Sequence, residues 1–191
     1  MKCIIKFALI LVVIAGFTLV VRAEDAPTAG DLVGQAGALL AAQDSKGAIK
    51  LYEDAIKADP TNAELQTLYA RALSVRINEV NFMAKGMIAG KMLKAYQTSV
   101  ELNPDHVEGW IGLSRYYLNA PPIAGGSLEK ATTYANEVKK RVSWLGEVEL
   151  GLITEKAGDK AAAAGHFQAA LDGNPQHGEA IAGLKRVTAA E

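Results

Sequence analysis

The stretch LGLITEKAGDKAAAAGHFQAALDGNP, residues 150–175, decides the fold. It reads as two short helices joined at the turn Ala157-Gly158-Asp159, and the same pattern stands earlier in the chain. Ala163, Phe167, Ala170 and Pro175 each lie 115 residues beyond Ala48, Tyr52, Ala55 and Pro60. Asp159 and Asp44 keep the same separation, both at the turn. One helical pair cannot bury its apolar face alone, so a repeated pair implies neighbours stacked into a solenoid.

Further matches fall in phase. Trp110, Leu113 and Tyr117, with Ser114 between them, fit Trp-x2-Leu-Gly-x2-Tyr, the first half of the tetratricopeptide pattern of about 34 residues. Leu150 and Gly151 fit that half again. Ala163-x3-Phe167 with Pro175, and Ala48-x3-Tyr52 with Pro60, fit the second half, Ala-x3-Phe followed by Pro. The chain therefore resembles the tetratricopeptide repeat family, and exported bacterial members of it in particular. Small residues such as Ala48, Ala163 and Gly151 let paired helices approach, and the aromatics fill the space between them. Pro60, Pro104 and Pro175 lack an N–H and restrain the residue before them, so each ends a second helix.

The resemblance implies an all-α, right-handed superhelix of antiparallel helix pairs over residues 31–191, about four repeats with a C-terminal capping helix. Asp44 or Ser45, Asn62, Asp105 and Ser127 are predicted N-caps. Leu65, Leu68, Ala72, Val75 and Ile77 share one face of the first helix of the second repeat. Pro60 and Pro104 are 44 residues apart, about ten more than the pattern allows. The extra residues fall within 74–91 and are read as a longer first helix with an expanded turn around Gly86 and Gly90. The last helix, near residues 178–190, should cover the end of the fourth repeat.

Residues 1–23, MKCIIKFALILVVIAGFTLVVRA, carry Lys2 and Lys6 before an apolar run and end on Val21-Arg22-Ala23. That is the pattern of a cleaved secretory signal peptide. A retained membrane anchor is the alternative, since residues 4–21 nearly match a span. Cleavage after Ala23 removes the chain's single cysteine. It leaves 17 Lys and Arg against 21 Asp and Glu, because Lys2, Lys6 and Arg22 leave the 20 basic residues of the whole. A cysteine-free exported chain suits an oxidising compartment. Mild acidity speaks against a nucleic-acid partner. Residues 24–30 read as a polar, flexible N-terminus.

In the tetratricopeptide family the first helices line a concave groove that holds extended peptides. Carried over, that groove presents Glu64, Thr67 and Arg71, then Glu108, Ile111, Arg115 and Asn119, then Val148, Leu152, Glu155 and Lys156. Arg71 and Arg115 occupy equivalent places, and paired guanidinium groups suit carboxylates. The Lys and Asn pairs of the chaperone-binding carboxylate clamp are missing. Residues 119–127, NAPPIAGGS, read as a rigid turn with a Ser cap, the alternative being an anion site on the amides of Gly125, Gly126 and Ser127. Residues 82–96, FMAKGMIAGKMLKAY, read as core methionines with solvated lysines, the alternatives being an adaptable or membrane-touching surface. His106, His166 and His177 have no metal-ligand spacing, and no catalytic set assembles.

These readings converge on a non-catalytic exported scaffold, periplasmic or secreted, that binds a protein or peptide and needs no cofactor or metal. Phe167 is expected to be buried between helices. The alternative is a membrane-anchored accessory subunit of an envelope assembly or secretion system. A carrier or enzyme built on the NAPPIAGGS loop is a third reading.

Overall fold

The computed structural model describes residues 27–189, so the expected signal peptide and the last two residues lie outside the described residues. Within them nine α-helices follow one another without a strand. They pair as α1 (Ala29–Ala41) with α2 (Ser45–Ala58), α3 (Ala63–Arg76) with α4 (Phe82–Leu102), α5 (Val107–Asn119) with α6 (Leu128–Arg141), and α7 (Ser143–Ala157) with α8 (Lys160–Gly173). A single helix, α9 (Gly178–Thr188), closes the series. Each helix packs on the next, and α3, α5, α7 and α9 also touch in order. The result is an all-α solenoid in which α3, α5, α7 and α9 form one continuous row.

Side-chain caps set most helix starts. The carboxylate of Asp44 accepts from Gly47 N at 2.8 Å, and that of Asp159 from Ala162 N at 2.9 Å. Asn62 caps α3 and Ser127 caps α6. Thr28 and Asp31 form a capping box that starts α1 at Ala29, inside the stretch expected to be irregular. Asp105 does not cap α5. His106 holds the cap position without a cap hydrogen bond, and its ring Nε2 meets Thr67 Oγ1 at 3.0 Å instead.

The core is segmented along the solenoid rather than gathered at one centre. Phe167 is fully buried, with Ala163 and Ala170 beside it. A Cβ on Gly151 would stand 2.6 Å from its ring, so α7 can approach α8 only because residue 151 has no side chain. Tyr96 sits against Gly112 in the same way. In the third repeat, Ala135 holds the place of Phe167, 32 residues earlier. Aromatic packing there comes from stacking of Tyr134 on Tyr117, with centroids 5.4 Å apart, and on Trp110 at 6.0 Å.

The second repeat departs from expectation. Helix α3 stops at Arg76, a 3₁₀ turn spans Ile77–Glu79, and α4 then runs without a break through Gly86 and Gly90. The inserted residues lengthen the second helix, not the first. Two neighbouring glycines lower helix propensity but do not interrupt a helix whose later turns are packed. Val75, expected on the buried face, is half exposed. The NAPPIAGGS loop is a tight turn. Pro122–Ala124 forms a 3₁₀ turn, and Gly125 takes φ 85°. A side chain on Gly126 would collide with the Ala120 carbonyl.

Candidate functional site

A cleft of about 560 Å³ opens between α3 and α5, with α4 as its floor. Thr67, Arg71 and Ser74 come from α3, and Glu108, Ile111, Arg115 and Asn119 from α5. Five of the six principal groove residues predicted from the sequence thus meet here. Lys156 does not. Its Nζ donates to the Leu118 carbonyl at 2.6 Å, satisfying the end of α5.

The five differ in what they have left to offer. Thr67 is buried and its hydroxyl is committed to Ser99 Oγ at 2.9 Å, to His106 and to the Ala63 carbonyl. Asn119 Nδ2 donates to the Arg115 carbonyl at 2.9 Å, and its amide oxygen makes no hydrogen bond among the described residues. Arg71 and Glu108 are exposed, and neither side chain makes a hydrogen bond or ion pair among the described residues. Tyr96 lies beneath them. Burial raises the pKa of its hydroxyl, and the positive field of Arg71 partly offsets that.

Arg115 is not the free recognition group its register suggests. Its Nε and Nη2 donate to Glu149 Oε1 at 2.9 and 2.7 Å, and Nη2 also donates to Glu179 Oε2 at 2.6 Å. One guanidinium ties α5 to α7 and α9. Burial disfavours its charge, but the two carboxylates more than offset this and push its pKa up. Glu149 is only 1% exposed, and its Oε2 has no hydrogen-bond partner among the described residues. Burial raises its pKa above the usual carboxylate range, against the pull of Arg115. The pair is a structural clamp, and Arg115→Ala cannot leave stability untouched.

The fourth-repeat part of the expected groove is closed. Val148 is fully buried, Leu152 packs into the same cluster, and Glu155 accepts two hydrogen bonds from Arg186 of α9 at 2.9 and 2.7 Å. The capping helix occupies that part of the groove. On the neighbouring α6, Lys139 holds Glu147 of α7 at 2.6 Å.

The apolar half of the cleft escaped the sequence. Ile77, Ala89, Met92, Tyr116, Pro121 and Ala124 line it. The available signal was Met92, which stands 44 residues after Ala48 and so takes the place of a buried alanine. The longer side chain is partly buried and lines the cleft. The anion reading of the loop fails on its donors. Gly125 N, Gly126 N and Ser127 N already donate to the carbonyls of Pro122, Pro121 and Tyr117. The core reading of residues 82–96 fails for Phe82, Met83 and Met87, which are all exposed, and holds in part for Met92. Among the described residues no three acidic, histidine or cysteine side chains cluster as metal ligands, and no helix is long and apolar enough to cross a membrane.

Residues 33–74, from α1 through most of α3, match the family model described as tetratricopeptide repeat. That segment carries a tetratricopeptide repeat. Solved tetratricopeptide structures share its fold. TTC0263, a thermophilic TPR protein in Thermus thermophilus, superposes with a TM-score of 0.65 at 19% identity, over 84% of this chain and 81% of that one. YrrB, described as a TPR protein with an unusual peptide-binding site, gives 0.58 at 19% identity, over 82% and 74%. MamA gives 0.56 at 19% identity, over 78% and 74%. At such identities the likeness is one of fold. No curated protein sequence matches this chain.

Proposed function

We propose that this tetratricopeptide protein is a non-catalytic, exported adaptor that holds an extended segment of a partner protein in the α3–α5 cleft. The observation that carries this reading is the cleft itself. Its floor and upper end are apolar, and at its rim one guanidinium, Arg71, is left without an internal partner among the described residues. An apolar slot with few convergent polar groups is the usual form of a binding site. Arg71 supplies the charge and planar donor geometry that select a carboxylate on the ligand. Glu108 and the Asn119 amide oxygen accept from its donors. Export rests on the N-terminal sequence pattern.

Site-directed photo-crosslinking tests the reading. A crosslinking side chain in place of Ile111, inside the cleft, should capture a discrete protein partner in living cells. The same group in place of Lys185, on the exposed face of α9, should not capture that partner. Equal capture from both positions would place the contact elsewhere.

A further inference from the structure

The start of α4 is longer than the repeat requires. Ser45, where α2 begins, corresponds in register to Ala89, 44 residues later. Residues 82–88 therefore precede the helix the repeat needs by about two turns, roughly 10 Å. This overhang is apolar on its outer side. Phe82, Met83 and Met87 are 77%, 84% and 72% exposed. Scattered exposed hydrophobics are ordinary, but three such side chains on one short helical stretch are not.

Two glycines complete the same face. At 100° per residue, positions 82, 83, 86, 87 and 90 fall within an arc of about 140°. A Cβ on Gly86 or Gly90 would meet nothing within 4 Å. Nothing among the described residues calls for glycine at either position, and glycine is among the poorest helix formers. Glycines four residues apart make a shallow groove in which a second helix can approach at backbone distance. The large side chains beside them are the matching ridges.

We propose that this overhang is a contact between two copies of the chain, crossing at Gly86 and Gly90. The face carries both groove and ridges, so a two-fold axis brings each groove onto the other copy's ridges. The three side chains expose roughly 400 Å² per copy. Ile123, in the α5–α6 loop, is a further exposed apolar side chain at 87%. The total approaches the lower limit for a specific interface, about 1,000 Å² over both partners, and so fits a dimer of micromolar stability. A lipid surface fits less well, because a membrane-lying helix needs a basic face. Lys85 is the only charge in residues 82–90, and Lys91 and Lys94 lie 3.7 and 3.8 Å from Glu53 and Glu101.

The test is sedimentation velocity between about 1 and 100 µM on the protein in the form its own cells contain. A monomer–dimer equilibrium is expected in that range. Met83→Glu with Met87→Glu should abolish it and leave the far-UV circular dichroism unchanged. Gly86→Leu with Gly90→Leu should also abolish it, while raising the melting temperature through better helix propensity. Leucine makes the face more apolar, so a non-specific hydrophobic contact would tighten instead. A wild-type chain that stays monomeric, or a leucine pair that dimerises as well as wild type, overturns the proposal. Binding of the monomeric protein to phosphatidylglycerol vesicles, lost with the glutamates, overturns it in favour of a lipid surface.

Discussion

Arg115→Ala removes the guanidinium that joins α5, α7 and α9 and leaves Glu149 without its cationic partner in a site only 1% exposed. Breaking a fully buried pair from one side costs about 3–5 kcal/mol. Arg115 itself is 41% exposed, and water screens its half of the interaction, which lowers the expected loss to about 2–3 kcal/mol. The loss should depend on pH. Burial already holds the Glu149 pKa above that of an unfolded glutamate, and the guanidinium is the main influence opposing it. Without Arg115 the folded pKa rises further. A raised folded pKa gives stability that is present below the unfolded value, about 4.3, and is lost as pH rises through the folded value. The deficit of the variant should therefore be small near pH 4 and larger at pH 8. Urea unfolding followed by circular dichroism at both pH values measures it. Glu149→Gln in the Arg115→Ala background should recover a large part of the loss, because it removes the uncompensated charge. A deficit below about 1 kcal/mol, or one equal at both pH values, would refute the clamp.

Phe167→Ala should cost about 3–5 kcal/mol in the same assay, since the ring fills the space between α7, α8 and α9. A loss below about 1 kcal/mol would mean that the helices are paired differently. Gly126→Ala should cost about 1–3 kcal/mol, because its methyl group must displace the Ala120 carbonyl; an unchanged melting temperature would show the NAPPIAGGS turn to be looser than described. The protein from its native compartment should begin at Glu24, and mass-spectrometric detection of Lys2 at the N-terminus would favour the membrane-anchored alternative.

The architecture was legible because the repeat writes its packing into single positions. Phe167, Tyr52 and Tyr96 mark where an aromatic enters between helices, and Asp44, Asn62, Ser127 and Asp159 mark where helices start. Register also brought Thr67, Arg71, Glu108, Arg115 and Asn119 to one cleft, since equivalent positions of stacked helices face one side. Register does not report what sits opposite a residue. Arg71 and Arg115 are equivalent along the chain, yet only Arg115 has Glu149 and Glu179 within reach, and those come from residues 34 and 64 positions away. Asp105 failed as a cap because His106 takes a contact with Thr67, 39 residues earlier. The methionines of residues 82–96 have the composition of a core, and only the extension of α4 beyond its neighbours leaves Met83 and Met87 uncovered.

The proposed binding in the cleft is tested most directly at Arg71, the one cationic group there left free of internal partners among the described residues. The measurement is the dissociation constant for the partner captured through position 111, with wild type, Arg71→Ala and Lys185→Ala compared by isothermal titration. Losing one charge-assisted hydrogen bond of about 1.5–3 kcal/mol should weaken binding by roughly tenfold to a hundredfold. Arg71→Ala should show that loss with an unchanged melting temperature, and Lys185→Ala should bind like wild type. Wild-type affinity in Arg71→Ala, or an equal loss in Lys185→Ala, would contradict the assignment of the cleft as the binding site.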